Sequence, residues 1–196
     1  MDYLNCGDEE FITYQKIARL SRDCVITEKI DGTNAQILIR NGIIEGVGSR
    51  SRYLTIENDN FGFARWVDQN KDELLKLGEG RHFGEWWGVG IQRHYNLSER
   101  RFSLFRGPKV GEVPKCVSIV PTLYEGLFNT EQVQTQLNQL QQDGSKAAPG
   151  FMKPEGIVIY HKAADTLFKK TIDKDEEPKG DKNVYGNFRT IVTHNK

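Results

Sequence analysis

The sequence predicts an α+β fold with a largely antiparallel sheet. Three observations carry this. Short apolar runs bounded by Gly, Asn, Asp and Pro recur along the chain and read as strands. Two stretches with helical apolar spacing are inserted between those strands. No internal repeat is present, so a solenoid or propeller is excluded.

The elements follow in order. Residues 10–20 predict a short amphipathic helix, with Phe11, Tyr14 and Ala18 on one face. Cys24, Val25 and Ile26 then lead to Lys29, Asp31-Gly32 signals a turn, and Ala35, Ile37 and Ile39 alternate beyond it. This pattern predicts a β-hairpin with Lys29 near its mouth. After the Asn41-Gly42 turn, Ile43, Ile44 and Val47 predict a third strand leading into Ser49, Arg50, Ser51 and Arg52. Ala64, Val67, Leu74 and Leu75 give residues 61–77 a helical stripe, with Gly78 as the stop. Residues 80–90 are dense in aromatics and glycine, and residues 102–105 and 116–120 read as strands. Residues 129–142 predict a further helix. Asn129 caps it, Gln132 follows three residues on, Val133, Leu137 and Leu140 form its stripe, and Gly144 ends it. Residues 144–154 read as a loop. Residues 156–160 are a buried strand by composition, preceded directly by Glu155. Residues 166–172 form another, carrying adjacent Lys169 and Lys170. Neighbouring strand residues point to opposite faces, so at most one of these lysines looks straight into a given cleft. The charged stretch 173–182 reads as a loop and residues 189–193 as a last strand.

The chain's 196 residues suit one sizeable domain, taken as residues 1–196. Hydrophobic content of 37% and charged content of 28% fit a soluble globular protein and exclude a disordered one. No apolar run approaches the roughly 20 residues of a membrane helix. The first residues show no signal-peptide pattern, so a cytoplasmic protein without a membrane partner is expected. Cys6, Cys24 and Cys116 fit neither a disulfide framework nor a zinc site, and His82, His94, His161 and His194 lack ligand spacing. Formal net charge is zero, which excludes a bulk nucleic-acid glue. Residues 81–115 nevertheless hold seven Lys/Arg against three Glu, with Tyr95, Phe102 and Phe105 among them. That composition suits either a phosphate-binding, base-stacking surface or a solvated rim around a core strand.

Lys29 has a carboxylate on either side, at Glu28 and Asp31. It reads as a surface lysine beside a turn or as a nucleophile, which must be neutral to attack. Glu85, Glu155, Lys169 and Lys170 also adjoin sheet-like segments. A lysine nucleophile, two carboxylates and further cations suit attack on a phosphate, with one carboxylate holding Mg²⁺.

Five motifs in order resemble those of the covalent nucleotidyltransferases, the superfamily of ATP-dependent ligases and capping enzymes. They are Glu28-Lys29-Ile30-Asp31-Gly32, Ser49-Arg50, Phe83-Gly84-Glu85, Glu155-Gly156-Ile157-Val158-Ile159 and Phe168-Lys169-Lys170. Gly32-Thr33-Asn34 and Gly90-Ile91-Gln92 are similar to the RNA ligase family within it. The resemblance implies an ATP-grasp-like adenylation domain with mainly antiparallel sheets, flanking helices and no OB-fold. It also implies ATP and Mg²⁺ or Mn²⁺ as cofactors, and RNA 5′-phosphate and 3′-OH ends as partners. Lys29 would attack the α-phosphate of ATP. Glu28 and Ile30 would lie at the nucleotide, Glu28 at the adenine. Arg50, with Arg52 as competitor, and Glu85 would hold the ribose. Glu155 would bind the metal. Phe105 or Phe102 would stack on adenine, and Lys169 would contact the α-phosphate. Asn34 would act at the phosphate or RNA end, or stabilise the turn. The family's last motif is Lys-x-Lys, so Lys170 or Thr171 fills the second position. The chain ends about 25 residues after this motif, leaving no room for a C-terminal OB-fold or helical domain; a partner protein would replace it. Alternatives are a DNA nick ligase, a capping-type enzyme or a non-catalytic RNA-end-binding module.

Overall fold

The computed structural model describes residues 10, 12–109, 111–173 and 175. The chain does not fold back on itself at Asp31-Gly32. β1 (Asp23–Lys29) and β2 (Thr33–Arg40) belong to different sheets. Ile30, Asp31 and Gly32 therefore form a crossover, which corrects the expected hairpin. The reason lies in long-range pairing. β1 is already flanked on both sides within its sheet, as is β2 within the other. Gly32 serves close approach: a Cβ there would meet the Trp86 carbonyl oxygen at 2.5 Å.

The first sheet is antiparallel throughout, in the order β7 (Thr122–Leu127), β1, β8 (Gly156–His161), β9 (Thr166–Thr171). The second has the order β3 (Ile43–Gly48), β2, β4 (Gly80–Gly88), β5 (Arg100–Leu104), β6 (Val117–Ile119). Only its β5–β6 pair is parallel. The β2–β3 hairpin turns at Asn41 and Gly42, with φ of 53° and 71°. Both are left-handed, as a two-residue hairpin turn requires.

Three apolar clusters hold the molecule. The expected helix over 61–77 is α1 (Phe63–Gln69), α2 (Lys71–Leu74) and a 3₁₀ turn (Leu75–Leu77), interrupted at Asn70. Phe63, Ala64, Val67, Leu74 and Leu77 pack under β2, β4 and β5 against Ile37, Ile39, Trp86 and Phe102. α3 (Thr130–Asp143) begins where the Asn129 side chain accepts from the Glu131 N–H at 2.7 Å. Its Leu137 and Leu140 cover Cys24, Ile26, Ile157 and Ile159 of the first sheet. Ile30, Trp87, Tyr95, Val120, Ala148 and Phe151 form the third cluster. It joins the two sheets at the crossover.

Other expectations fail here for physical reasons. Residues 12–20 carry no helix, and Ile12, Tyr14, Ile17 and Leu20 are exposed. A short helix with no surface to cover is marginal in water. Phe11 lies outside the described residues, as do Cys6, His194, the 189–193 strand and most of 173–182. β7 is a strand that the sequence reading passed over. Of the aromatics in the basic 81–115 stretch, Tyr95 and Phe102 are buried at 1% and 0% exposure, which leaves Phe105 as the exposed one of the three that the sequence singled out. Its arginines are engaged as well: Arg93 with Asp31, Arg100 with the Phe61 and Val89 carbonyls, Arg101 with Glu99. No helix among the described residues is long and apolar enough to cross a membrane.

Gly84 sits where β4 presses on β5: a Cβ there would lie 2.4 Å from the Ser103 carbonyl oxygen and 2.6 Å from the Phe102 ring. The Gly84→Ala variant is therefore expected to lose about 1–3 kcal/mol of stability through overpacking. Urea denaturation measures this; an unchanged midpoint would show that the sheet yields.

Candidate active site

The site forms where β1 ends and the chain crosses between sheets. Lys29 is the last residue of β1 and pairs with Gly156, directly after Glu155. Its Nζ donates to Glu155 Oε2 at 2.6 Å, and Glu155 is buried. Glu85 approaches from the second sheet, where its Oε1 accepts from the Gly32 N–H at 3.0 Å. Burial pushes the Glu85 carboxyl up to about 7, opposed by Lys29 and the Gly32 N–H and reinforced by Glu155 and Asp31. Lys29, Glu155 and Glu85 are thus brought together.

Strand register sorts the remaining candidates by face. In the first sheet Lys29, Gly156 and Thr171 form one row, and Thr27, Val158 and Lys169 the next. These rows share the face that carries the Lys29 amine. Glu28, Ile157 and Lys170 lie on the other face. Lys170 is within 3.7 Å of Asp175 there. Of the alternatives for the second position of the last motif, Thr171 shares the Lys29 face and Lys170 does not.

Glu28 is also turned away from Lys29. Its carboxylate is 1% exposed and accepts from Ser145 Oγ at 2.6 Å, the Lys146 N–H at 2.8 Å and the Ala147 N–H at 2.9 Å. That carboxylate is engaged by the loop after α3, away from the Lys29 face, so an adenine contact by Glu28 would fall to its main chain. The sequence reading did not find the 145–147 loop as its partner, and no local signal marks it.

On the second sheet, Asn34 pairs with Glu85 and Glu85 with Ser103, on one face. Gln36 and Phe83 form the next row of that face, and the Phe105 N–H donates to the Phe83 carbonyl at 3.0 Å. Phe105 is 42% exposed, whereas Phe102 is core. Arg106 follows Phe105 and crosses the gap: its Cζ stands 4.7 Å from the centroid of the Tyr160 ring, on the Lys29 face of the first sheet. The two open faces therefore enclose one cleft. Ile30 is buried in the cluster at its base. Arg50 is exposed and makes no hydrogen bond or ion pair to the described residues. Arg52, by contrast, donates to the Asn58 and Asp59 carbonyls.

Residues missed by sequence reasoning hold the crossover. The Asp31 N–H donates to Tyr95 Oη at 2.7 Å, and Arg93 Nε donates to Asp31 Oδ2 at 3.0 Å. Burial pushes the Tyr95 phenol up, keeping it protonated. Among the described residues no three His, Cys, Asp or Glu converge as a metal cage.

The ordinary Glu value is 4.5 and that of Glu85 about 7, so the folded state binds the extra proton between these values. Folding stability is therefore lost as pH rises through that window, by at most about 3 kcal/mol. Glu85→Gln should gain stability relative to the parent between about pH 5 and about pH 8. Thermal melts at both values check this, and parallel pH dependence of the two proteins would contradict it.

A family model for RNA ligases matches residues 22–171. Comparison with curated protein sequences finds no match. Among solved structures, a lysine-to-alanine variant of Naegleria gruberi RNA ligase without ligand matches with TM-score 0.56 at 22% identity, over 77% of this chain and 50% of that one. A variant of that ligase with AMP and Mn gives 0.55 at 21% identity, over 78% and 50%. Another, with ATP and Mn, gives 0.56 at 23% identity, over 78% and 50%. At this identity the likeness is one of fold, and the chain spans about half the length of the structures it matches. The α+β architecture with two antiparallel-dominated sheets agrees with them. With a family model covering 22–171 of its 196 residues, the chain belongs to the RNA ligase family.

Proposed function

We propose that this protein is an ATP-dependent RNA ligase that acts through a lysyl–AMP intermediate at Lys29. The observation that carries the reading is the pairing of Lys29 Nζ with Glu155 at 2.6 Å, beside Glu85, at the base of a cleft between two sheets. Nucleophilic attack requires the neutral amine, so the ion pair describes the resting enzyme. ATP fits the cleft. Phe105 offers an aromatic face at its rim, Val158 an apolar floor, and Lys169 a cation on the Lys29 face. Arg50 and Glu85 would hold the ribose, and Asn34, which pairs with Glu85 in the sheet, would meet the phosphate or the incoming RNA end.

Family neighbours were solved with ATP or AMP and Mn. The donor here fits such an ion: Glu155 supplies only oxygen, and Mg²⁺ is commonly held by one or two carboxylates plus substrate phosphates. When bound it would neutralise charge on the phosphate oxygens. The chain's own steps are these. Lys29 Nζ gives up its protons to solvent and forms a bond to the α-phosphorus, the bond from that phosphorus to the pyrophosphate oxygen breaks, and pyrophosphate leaves. An oxygen of the RNA 5′-phosphate then bonds to the same phosphorus as the bond to Lys29 Nζ breaks, and a 3′-OH, losing its proton to solvent, attacks the RNA phosphate to release AMP. Each displacement relies on positioning and charge more than on acid–base work. The joining step is assigned to this chain alone or with a partner protein.

Incubation with α-labelled ATP and Mn²⁺ should label the chain covalently, and Lys29→Ala should abolish the label. Lys169→Met should slow labelling by about 10²-fold, through loss of one charge at the developing transition state. Equal labelling of Lys29→Ala would refute the assignment.

A further inference from the structure

The second sheet carries an exposed strip that the nucleotide site does not use. From Glu85, every second residue of β4 points into the same face, giving Phe83 and then Arg81 at steps of about 7 Å. Phe83 is 47% exposed. Arg81 pairs with Leu38 on that face, and its guanidinium donates to Gln36 Oε1 and, at 3.3 Å, to Tyr53 Oη. Tyr53 is 61% exposed and lies against the sheet at Gly46, where an added Cβ would stand 2.9 Å from the ring. Gly46 pairs with Leu38, so the Tyr53 ring occupies the same open face. The seating of the ring depends on the glycine, and the arginine is held in place by two acceptors. Exposed aromatics with a fixed cation between them are a physical match for unstacked bases joined by phosphates.

We infer that Tyr53, Arg81 and Phe83 form a binding strip for single-stranded RNA, seating the nucleotides next to the end being joined. The inference rests on the reading of the chain as an RNA-joining enzyme. Its warrant is separate: the strip is continuous with Glu85 and Asn34, it carries positive charge, and its rings stand free. A duplex keeps its bases stacked against each other and offers such rings nothing to stack on.

The test uses the full chain without ATP. Fluorescence anisotropy follows a labelled, 5′-phosphorylated oligouridylate of about ten nucleotides, and a nicked RNA duplex in parallel, at two salt concentrations. Lys29 labelling with α-labelled ATP is measured for each variant. Tyr53→Ala should weaken single-strand binding about tenfold, and Tyr53→Phe should stay within about threefold, because stacking needs only the ring. Arg81→Met should weaken binding and lower the salt slope by about one. Labelling of Lys29 should be unchanged in all three. The inference is overturned if Tyr53→Ala and Arg81→Met bind like the parent, if Tyr53→Phe loses as much as Tyr53→Ala, or if the parent binds the duplex but not the single strand. Absent Lys29 labelling with Tyr53-dependent RNA binding would sink the ATP reading and leave the strip standing. Intact labelling with Tyr53-independent binding would do the reverse.

Discussion

Asp31 is gripped by its main chain and by its side chain. Tyr95 accepts its N–H, Arg93 donates to its carboxylate, and the next N–H, of Gly32, goes to Glu85. These contacts fix the three-residue crossover between the sheets. Because Lys29 precedes it and Thr33 follows it, the crossover sets how the two open faces meet. The Tyr95 ring packs edge-on against Trp87, with centroids 4.9 Å apart, and against Phe151 at 4.7 Å. The grip is thereby anchored in the cluster that joins the sheets. The loop that supplies it is strained: Gln92, His94, Tyr95 and Asn96 all have positive φ, between 43° and 59°. A non-glycine residue in that region gives up about 1–2 kcal/mol, so the loop persists because its neighbours determine it.

Lys29 is also held from behind. Glu28 and Lys29 are successive residues of β1 and point to opposite faces. The Glu28 carboxylate binds the loop after α3 through three donors, two of them main-chain N–H groups. A buried carboxylate is tolerable only when its lone pairs are met in this way. α3 therefore does more than cover apolar residues of the first sheet. It supplies the loop that locks the end of the strand carrying Lys29.

The front of the strand is a balance of charges. Lys29 is paired with one buried carboxylate, and a second, Glu85, is held near neutrality by burial. Two ionised carboxylates beside a single ammonium would leave a net negative charge at the base of the cleft. Burial favours the protonated Glu85 carboxyl and so lessens that charge. Thr171 stands on the Lys29 face where the family pattern has a second lysine, which leaves Lys169 as the cation that β9 presents on that face.

Much of the fold was legible in local patterns. Apolar runs marked β1 and β8, alternation marked β2, the Asn41-Gly42 turn marked its hairpin, and the cap at Asn129 marked α3. Alternation also required that Lys169 and Lys170 part company. The ordered motifs named Lys29, Glu85 and Glu155, since their chemistry is written in residue type and spacing. The sequence could not say which sheet a strand joins, because pairing is settled between residues far apart in the chain. Asp31-Gly32 has the chemistry of a hairpin turn, yet tertiary packing made it a crossover. Register then decided which face each side chain shares, turning Glu28 inward and bringing Thr171 rather than Lys170 to the cleft. The grip of Tyr95 and Arg93 on Asp31 spans more than sixty residues, and only the folded chain could bring those groups within hydrogen-bond distance.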